Sequence, residues 1–492
     1  FLAWVALVPG LLIIQRSPSA REAAVRAVWF GAGYMLATLW WLVPNVGPGL
    51  PLLAIVFGLL WVGVGLATWG LLRPPVTAGR ALAAIAVVPS AWLVIEVIRS
   101  WQALGGPWAL LGATQWKHPA VLALAALGGV WLVSGALVAA NTGVLIAIVA
   151  SRLSVRVLGA VAAAACVAAG PVAYALSSPP ATARTVTVAL VQPGIVQNPR
   201  ARVDASERLT ASFAGRLAPV NPDLVVWGES SVAYNLRLHP WLLGQIRARS
   251  ARIGTEILLN QDAPRGKGHI SKVATLVSPA GIQGIYVKTR LVPFGEYIPF
   301  RQALGWLASV SRAASSNRIP GHGVHLLTVT RPGTRPLPIG VLICFESAFP
   351  DMSRVAAEKG AQLVVYQSAT STFQDSWAPE QHASLGALRA AETGRPVVQA
   401  ALTGVSVAFD SRGRNLARMP TSRHGVVVVR LDLPSSGART PYDRFGEAVP
   451  IAAVAISAVA AVYGLIRVRR GRRIRRDAAP TSAGAPPVVT HE

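Results

Sequence analysis

Charged residues and cysteines are both scarce in this 492-residue sequence, and each shortage narrows the class of protein. Only 14% of the residues are charged and 52% are apolar, a balance that fits a membrane protein carrying a soluble part. The only two cysteines, Cys166 and Cys344, exclude a disulfide framework or a zinc cluster. The chain is also too long for a single ordinary core.

Acidic residues are scarce as well, since 21 Asp and Glu face 46 Lys and Arg, giving a net charge of +25. Such a charge would suit nucleic acid, but its distribution argues against that partner. One group of arginines lies in short loops between apolar segments, and another follows the last apolar segment. This is the positive-inside pattern of membrane proteins, and it favours anionic lipid as the partner of the C-terminal tail. The two groups are Arg16, Arg21, Arg26, Arg73, Arg80, Arg152 and Arg156, and then Arg467, Arg469, Arg470, Arg472, Arg473, Arg475 and Arg476.

Apolar segments of membrane-spanning length recur along the chain, where a span needs roughly 20 residues. The segment 1–14 is short, and because the chain opens on Phe1 we expect a partial span whose preceding residues are missing. Val121–Val149 is long for one span and predicts a helix that tilts or extends beyond the bilayer. The other predicted spans are Val25–Pro44, Leu52–Leu72, Ala81–Ile98, Val157–Leu176 and Ala448–Ile466.

The arginines also predict the topology. Basic loops at 15–24, 73–80 and 152–156 would be cytoplasmic, so the chain between about 180 and 445 would lie outside the plasma membrane. The composition after Asp477 is that of a disordered segment. We therefore predict a helix bundle at 1–178, an extracytoplasmic domain at 180–445, a last span at 447–466 and a basic, disordered cytoplasmic tail at 467–492.

The predicted outer domain alternates strand-like and helix-like stretches, which suggests a layered α/β sandwich. Helices are predicted at about 204–218, 240–252, 351–359 and 380–393. Strands are predicted at Thr185–Val191, Asp223–Trp227, Thr255–Asn260, Lys272–Ser278, Gly281–Val287, Leu337–Ile343, Gln362–Gln367, Val397–Ala401, Val405–Asp410 and Val426–Leu431.

Three of these strands end in groups suited to catalysis. Glu229 follows one strand, Lys288 ends another before a Pro/Gly-rich loop that holds Glu296, and Cys344 begins the Cys-Phe-Glu that follows a third. A cysteine that attacks an acyl group reacts as the thiolate, and a nearby ammonium group lowers the pKa of the thiol. A carboxylate can take the thiol proton, and the lysine can stabilise a tetrahedral oxyanion together with a backbone N–H.

Each group also has an ordinary structural interpretation. A free cysteine usually just packs, and Glu229 could be a strand-end charge. Lys288 could be a solvated loop residue, and Glu296 could cap its turn. Only their combination favours catalysis.

That combination resembles the carbon–nitrogen hydrolase (nitrilase) superfamily, whose catalytic set is Glu, Lys and Cys in this chain order. Within it, nearly the whole sequence is similar to the apolipoprotein N-acyltransferases, membrane enzymes that complete bacterial lipoproteins. That family has eight spans, so the first would be missing here. The matching phrases are Lys288-Thr-Arg-Leu-Val-Pro-Phe-Gly-Glu-Tyr-Ile-Pro, Gln192-Pro-Gly, Gln381-His382, Arg389-Ala-Ala-Glu392-Thr-Gly-Arg395 and Thr403-Gly-Val-Ser406.

The resemblance implies an α-β-β-α catalytic domain and a role for each group. Glu229 would be the general base, Lys288 the oxyanion lysine and Cys344 the nucleophile, with Glu296 and Glu346 as supporting carboxylates. Cys344 would take an acyl chain from a membrane phospholipid as a thioester. The amine of a diacylglyceryl-cysteine at the N-terminus of an apolipoprotein would then receive it. No metal or other cofactor is implied.

Four stretches depart from the family pattern. Gly228 stands where proline is usual and Phe345 where tyrosine is usual. Gln367–Thr370 replaces an Asn-Asp-x-Trp stretch, and Asn198–Arg208 lacks an expected tryptophan. These changes concern substrate positioning and acyl preference, so Phe345 joins Glu296 and Glu346 as a supporting or substrate-binding residue.

Two other functions stay open at this point. The first is a membrane-anchored amidase or nitrilase that passes its acyl group to water. The second is an inactive scaffold that recruits a partner through its basic tail. Because some relatives carry or bind a polyprenol-phosphate mannosyltransferase, such an enzyme could be a partner in trans.

Three weaker features have ordinary explanations. His322 and His325 could bind a metal but lack further ligands. Glu96 and Arg99 are expected to form a local ion pair near a span end. Phe300–Val310 could be an amphipathic arm in the membrane interface or a packed surface helix.

Overall fold

The computed structural model describes residues 2–216, 222–264, 266, 269–305, 317–331 and 333–477. This part of the chain contains six helices that are long and apolar enough to cross a membrane, and a shorter apolar helix, Leu2–Gln15. They confirm the prediction that the N-terminal region consists of several apolar helices. The six are Ala20–Val46, Gly49–Leu72, Ala78–Arg99, Pro119–Val149, Leu153–Leu176 and Ala448–Arg470.

The helix Pro119–Val149 is broken in its middle, whereas the sequence had predicted one continuous span. Gly128 and Gly129 leave helical geometry, and Gly129 has a φ of 70°, a conformation that glycine adopts without strain. A Cβ at Gly129 would also lie 2.7 Å from the ring of Tyr442. The break frees the backbone N–H of Val130, which donates a 2.8 Å hydrogen bond to Oε1 of the buried Glu392. The carboxylate thus caps the second half of the span.

The last helix runs from Ala448 to Asp477, well past Ile466, where we expected the span to end. The first part of the predicted disordered tail is therefore helical. Residues 478–492 of that tail lie outside the described chain.

Two β-sheets form the domain between the membrane helices. The first has the order β13-β1-β2-β3-β4-β5, with β6 pairing with β4, and the second has the order β12-β11-β10-β9-β8-β7. The strands are β1 Thr182–Gln192, β2 Leu224–Trp227, β3 Glu256–Pro264, β4 His269–Ser278, β5 Gly281–Val287, β6 Asn317–Arg318, β7 Leu326–Val329, β8 Leu337–Ile343, β9 Leu363–Ser368, β10 Val397–Ala401, β11 Ser406–Phe409, β12 Asn415–Met419 and β13 Gly425–Pro434.

The alternation of side chains along β2 shows why both faces of the first sheet are apolar. Leu224 and Val226 point into the core between the sheets. Val225 and Trp227 point to the opposite face, as the period of a strand requires. The helices Pro199–Arg216 and Pro240–Ile253 cover that outer face, and Pro350–Glu358 and Ala378–Thr393 cover the second sheet. This confirms the predicted α-β-β-α sandwich.

The helix Ala378–Thr393 joins the sandwich to the membrane helices. It packs on β10 and β11 of the second sheet and also on the broken span Pro119–Val149. Every residue from His382 to Thr393 is buried. A helix buried on all sides needs no polar face, which explains why its sequence shows little amphipathic pattern.

The loop 100–118, between two membrane helices, also contacts the sandwich. Instead of pairing with each other, Glu96 and Arg99 hold this loop: Glu96 Oε1 accepts from Leu111 N at 2.8 Å, and Arg99 donates to Trp108 O at 2.6 Å. The expected local ion pair is replaced by these tertiary bonds. In the predicted arm, only the short helix Arg301–Leu304 and Gly305 fall within the described residues after Phe300.

Candidate active site

The ends of β2, β5 and β8 bring Glu229, Lys288 and Cys344 together. Glu229 Oε1 lies 3.6 Å from Lys288 Nζ, and the Cys344 thiol is hydrogen bonded to the same carboxylate. Both charged side chains are almost fully buried, whereas Cys344 is half-buried. The three groups are therefore adjacent, although more than a hundred residues separate Glu229 from Cys344.

Gly228 places Glu229 between the two sheets. A Cβ at this position would lie only 2.0 Å from the backbone nitrogen of Leu402, so the close approach of the two sheets here requires glycine. The next residue bonds across the gap, since Glu229 N donates to Ser368 O at 3.2 Å. Glu229 is therefore held firmly in place although glycine, rather than the usual proline, precedes it.

Cys344 occupies a sharp bend between β8 and a short 3₁₀ helix, Cys344–Ala348. Its φ of 52° is unusual for a residue with a side chain and costs about 1–3 kcal/mol, strain that is typically found at functional sites. The N–H of Phe345 lies in the first turn of this helix, where N–H groups have no partner within the helix. It is available to a ligand next to the thiol.

Glu296 and Arg318 complete the ionic surroundings of Lys288. Lys288 Nζ donates to Glu296 Oε1 at 3.0 Å, and the same oxygen lies 3.3 Å from Arg318. The other oxygen of Glu296 accepts from Val292 N at 2.9 Å. Glu296 therefore fixes both the lysine and the loop that follows it.

These contacts set the protonation of the resting site. Burial alone would raise the pKa of Glu229, but the ammonium groups of Lys272 and Lys288 outweigh it and hold that pKa at about 2. Burial raises the pKa of the Cys344 thiol to about 12, and the Glu229 carboxylate acts in the same direction. Lys288 lowers the thiol pKa, as the sequence predicts, but burial and the Glu229 carboxylate outweigh it. The resting pair is a thiol beside an ionised carboxylate, as a general base requires.

Lys288 stays charged in this setting. Burial lowers its pKa, but Glu296 and Glu229 raise it above its ordinary value. A permanent ammonium next to the thiol is suited to stabilising negative charge that develops during a reaction.

Glu346, the carboxylate of the Cys-Phe-Glu stretch, ties the end of β5 to the end of β8. Its Oε1 accepts from the Tyr286 hydroxyl at 2.8 Å and from Thr289 N at 2.6 Å and Arg290 N at 3.0 Å. Its Oε2 accepts from Ile343 N at 2.7 Å. Burial raises the pKa of this fully buried carboxyl, and the backbone donors oppose that shift. Glu346 thus supports the site without contacting the thiol proton.

We expect Glu346→Gln to weaken both folding and activity. The amide NH₂ would face N–H or O–H donors, and a buried donor left without an acceptor costs about 1–3 kcal/mol. At about 2–4 °C per kcal/mol for a domain of this size, the melting temperature should fall by several degrees. Thermal unfolding and acylation rates measure the effect. Glu358→Gln, at an exposed position, is the control and should change neither, and a wild-type melting temperature for Glu346→Gln would contradict the assignment.

Phe345 faces the membrane loop rather than the thiol. Its ring packs edge-on against Phe349 at 4.9 Å, and a Cβ at Gly106 would lie within 3.0 Å of both rings. The same loop 100–118 reaches the segment after Lys288, because Gln102 donates to Leu291 O at 3.0 Å. The site therefore borders the part of the bundle that connects two spans.

Gln367, the first residue of the stretch that departs from the family pattern, bridges the two sheets. Its amide donates to Trp227 O at 2.9 Å and Leu258 O at 3.3 Å, and its carbonyl accepts from Asn260 at 3.4 Å. It holds the end of β2 in place directly before Glu229.

Two residues of the site were not identified from the sequence. Lys272 Nζ lies 3.5 Å from Glu229 Oε1. His382 was noticed only within a motif; its Nε2 lies 3.1 Å from Cys344 O and 2.9 Å from Ser347 Oγ, and burial lowers its pKa. The composition could have drawn attention to Lys272, because only five of the 46 basic residues are lysines. Of these five, Lys272 lies on β4 and Lys288 directly follows β5.

The two histidines considered as metal ligands do not form such a site. His325 Nε2 contacts Ile285 O at 2.8 Å. Within the described ranges, no group of three or more His, Cys, Asp or Glu side chains could hold a metal ion.

Comparison with known proteins covers most of the chain. Residues 1–143 match the family model of the apolipoprotein N-acyltransferase N-terminal domain, and residues 187–440 match that of carbon-nitrogen hydrolase. The apolipoprotein N-acyltransferase of Allorhizobium ampelinum is 31% identical, covering 81% of this chain and 77% of the relative. That of Geobacter metallireducens is 29% identical, covering 95% and 91%. A solved amidase from Nesterenkonia sp. aligns with a TM-score of 0.39 and 21% identity, covering 53% of this chain and 97% of the amidase.

Proposed function

The chain belongs to the apolipoprotein N-acyltransferase family, and from that premise we infer how its residues carry out acyl transfer in lipoprotein maturation. The observation that carries the inference is the convergence of Glu229, Lys288 and Cys344 at one point. That point borders the membrane loop 100–118. We assign these residues as base, oxyanion lysine and nucleophile.

In the first half-reaction, Cys344 Sγ attacks the ester carbonyl of a phospholipid while its proton passes to Glu229. Negative charge develops on the carbonyl oxygen, where the Lys288 ammonium and the Phe345 N–H stabilise it. Collapse of the tetrahedral intermediate breaks the ester C–O bond. Glu229 returns the proton to the departing lysophospholipid oxygen, and the acyl chain remains on Cys344 as a thioester.

In the second half-reaction, the N-terminal amine of a diacylglyceryl-cysteine attacks the thioester carbonyl. Glu229 takes a proton from the amine as the C–N bond forms, and the same oxyanion groups act again. The C–S bond then breaks, and Glu229 returns the proton to Cys344. The enzyme is restored and the lipoprotein carries a third acyl chain as an amide.

The surroundings of the site support two lipid substrates. Phe345 and Phe349 pack against Gly106 of the loop 100–118, and Trp108 of the same loop lies 5.8 Å from His382. A thiol this close to the bundle can meet lipid esters without extracting them far from the bilayer. The same position suits an apolipoprotein whose own lipid anchor stays in the membrane.

Membrane location is given by the spans and the family, and we propose the finer topology from the arginines. Residues 1–178 would form the bundle, 180–445 the extracytoplasmic catalytic domain, 447–466 the last span and 467–492 a cytoplasmic segment. The positive-inside distribution supports this orientation. A polyprenol-phosphate mannosyltransferase as a partner in trans is also a proposal, supported by the arginine-rich end of the helix Ala448–Asp477.

The two rival functions are not favoured. A scaffold protein would have no need of a strained cysteine hydrogen bonded to a buried carboxylate. An amidase that passes acyl groups to water is disfavoured because the relatives that match most of the chain are named as N-acyltransferases.

The acyl-enzyme can be tested directly by mass spectrometry. The purified full chain is incubated with phospholipids of one defined acyl composition, and intact and peptide masses are measured. We expect an adduct of one acyl chain on Cys344 that is released by hydroxylamine and discharged by a diacylated lipopeptide. An unmodified Cys344, or fatty acid released equally fast with and without the lipopeptide, would contradict the transferase mechanism.

A further inference from the structure

A second buried lysine, Lys272, lies beside the base and has no part in the reaction described above. Its Nζ lies 3.5 Å from Glu229 Oε1 and 2.8 Å from Asp262 Oδ1, and it donates a hydrogen bond to Ser230 Oγ. Only 6% of Lys272 is exposed. A buried ammonium is costly unless it is paired and hydrogen bonded, and here three partners surround it.

The partners of Lys272 fix it on one side of Glu229. Asp262 is its cross-strand neighbour between β3 and β4, and Ser230 follows Glu229 in a bend with a φ of 55°. Ser230 is itself held, because its N–H donates to Asn260 Oδ1 at 3.0 Å. The ammonium therefore has a fixed position from which to attract the carboxylate.

The two lysines near Glu229 have different surroundings. Lys288 Nζ is closest to Glu296, at 3.0 Å, and lies 3.6 Å from Glu229. During the reaction it must also attract the oxyanion. Lys272 is held by Asp262 and Ser230 on the β3–β4 side, so its attraction for Glu229 does not change as charge develops on the substrate.

Charge balance shows what the loss of Lys272 would do. Three cations, Lys272, Lys288 and Arg318, pair with the carboxylates of Glu229, Asp262 and Glu296 in this cluster. The Cys344 thiol and the uncharged His382 lie beside them, and the buried Glu346 acts on Lys288 as a fourth carboxyl group. Removing one cation leaves a buried excess of negative charge, which a protein relieves by protonating a carboxylate. The groups acting on Glu229 directly or through these partners are Lys272, Lys288, Arg318, Asp262, Glu296, Glu346, Cys344 and His382.

We propose that Lys272 is a positioning residue that keeps Glu229 ionised and directed at the Cys344 thiol. The inference rests on the proposed function, because it takes Glu229 as the base. A protonated Glu229 cannot accept the thiol proton. Without Lys272, the reactivity of Cys344 should therefore begin to fall at a higher pH than in the wild type.

The test compares Lys272→Met with Lys272→Arg in the full-length protein, both in a Cys166→Ala background so that Cys344 is the only thiol. The rate of Cys344 alkylation by iodoacetamide is measured against pH, together with the rate of thioester formation. Removing an adjacent opposite charge should move the acid limb of both profiles upward by about one to three pH units for Lys272→Met. Lys272→Arg keeps the charge and should stay close to the wild type. Coincident Lys272→Met and wild-type profiles would overturn the proposal.

A second variant separates charge from structural damage. Asp262→Asn removes the anion that shares Lys272 with Glu229 and leaves the ammonium in place, so the acid limb should stay or move to lower pH. A shift to higher pH in Asp262→Asn, or equal losses at every pH in Lys272→Met and Lys272→Arg, would show general disruption and refute the assigned role. Melting temperatures identify misfolded variants. Because alkylation needs neither phospholipid nor lipopeptide, it tests the role of Lys272 by a different measurement from the acyl-enzyme mass, which tests the acyl-transfer mechanism.

Discussion

Cys344→Ala should form no acyl thioester and transfer no acyl chain to a diacylated lipopeptide. The substitution removes the sulfur atom that bonds to the acyl group in the proposed mechanism, so both half-reactions are lost together. Cys344→Ser should fold and still lose several orders of magnitude in rate, because a serine hydroxyl is far harder to deprotonate than a thiol. Intact-mass measurement and transfer of a labelled acyl chain provide the readouts.

The second cysteine provides a matched control. Cys166 lies in the membrane helix Leu153–Leu176 and is half-buried, so Cys166→Ala should form the thioester at the wild-type rate. Acyl transfer by Cys344→Ala above the uncatalysed background would exclude Cys344 as the nucleophile.

Glu229→Gln is expected to slow thioester formation by about 10²–10⁴-fold, the usual contribution of a general base. The amide keeps the shape of the side chain but cannot take the thiol proton. Because the thiol pKa is about 12 at rest, little thiolate forms at neutral pH without that base. Raising the pH should therefore restore part of the rate in Glu229→Gln, while the wild type, with a base pKa of about 2, should change little between mildly acidic and neutral pH.

The control for this variant is Glu207→Gln, which breaks a carboxylate–arginine pair away from the site. Glu207 bonds Arg249 at 2.8 Å on the outer face of the first sheet, away from the strand ends that form the site. The Glu207→Gln variant should form the thioester at nearly the wild-type rate. If Glu229→Gln formed it at the same rate as Glu207→Gln at neutral pH, a group other than Glu229 would have to serve as the base.

Three strands, Gly281–Val287, Leu337–Ile343 and Val397–Ala401, have the predicted bounds. The last two are buried almost throughout, whereas the first is largely half-buried. All three are rich in apolar residues, and a short apolar run is a strong local signal. The strand Asn415–Met419 was missed, since its residues are largely exposed on a sheet edge and carry no such run. Two further short strands, β6 and β7, were missed as well.

In the candidate site, too, some residues could be identified from the sequence and others only from the structure. Glu229, Lys288 and Cys344 could be named because each follows a recognisable strand and matches a motif. Lys272 could not, because its importance arises from pairing between β3 and β4 that brings it beside Asp262. The direction of the thiol pKa shift also needed the structure, since burial and two opposing charges had to be weighed at known distances. Likewise, the break at Gly128–Gly129 depends on a carboxylate that lies 262 residues from Val130 in the chain.

The helix break at Gly128–Gly129, capped by Glu392, bears on whether the catalytic domain can be separated from the membrane helices. Glu392 belongs to a helix of the sandwich, yet the donor that satisfies it belongs to a membrane span. Excising the sandwich as a soluble fragment would strip this carboxylate of Val130 and expose the apolar side of a helix that is buried throughout. We therefore expect the catalytic domain and the membrane helices to stabilise each other, so that the surface of the bilayer does not separate two independently stable parts.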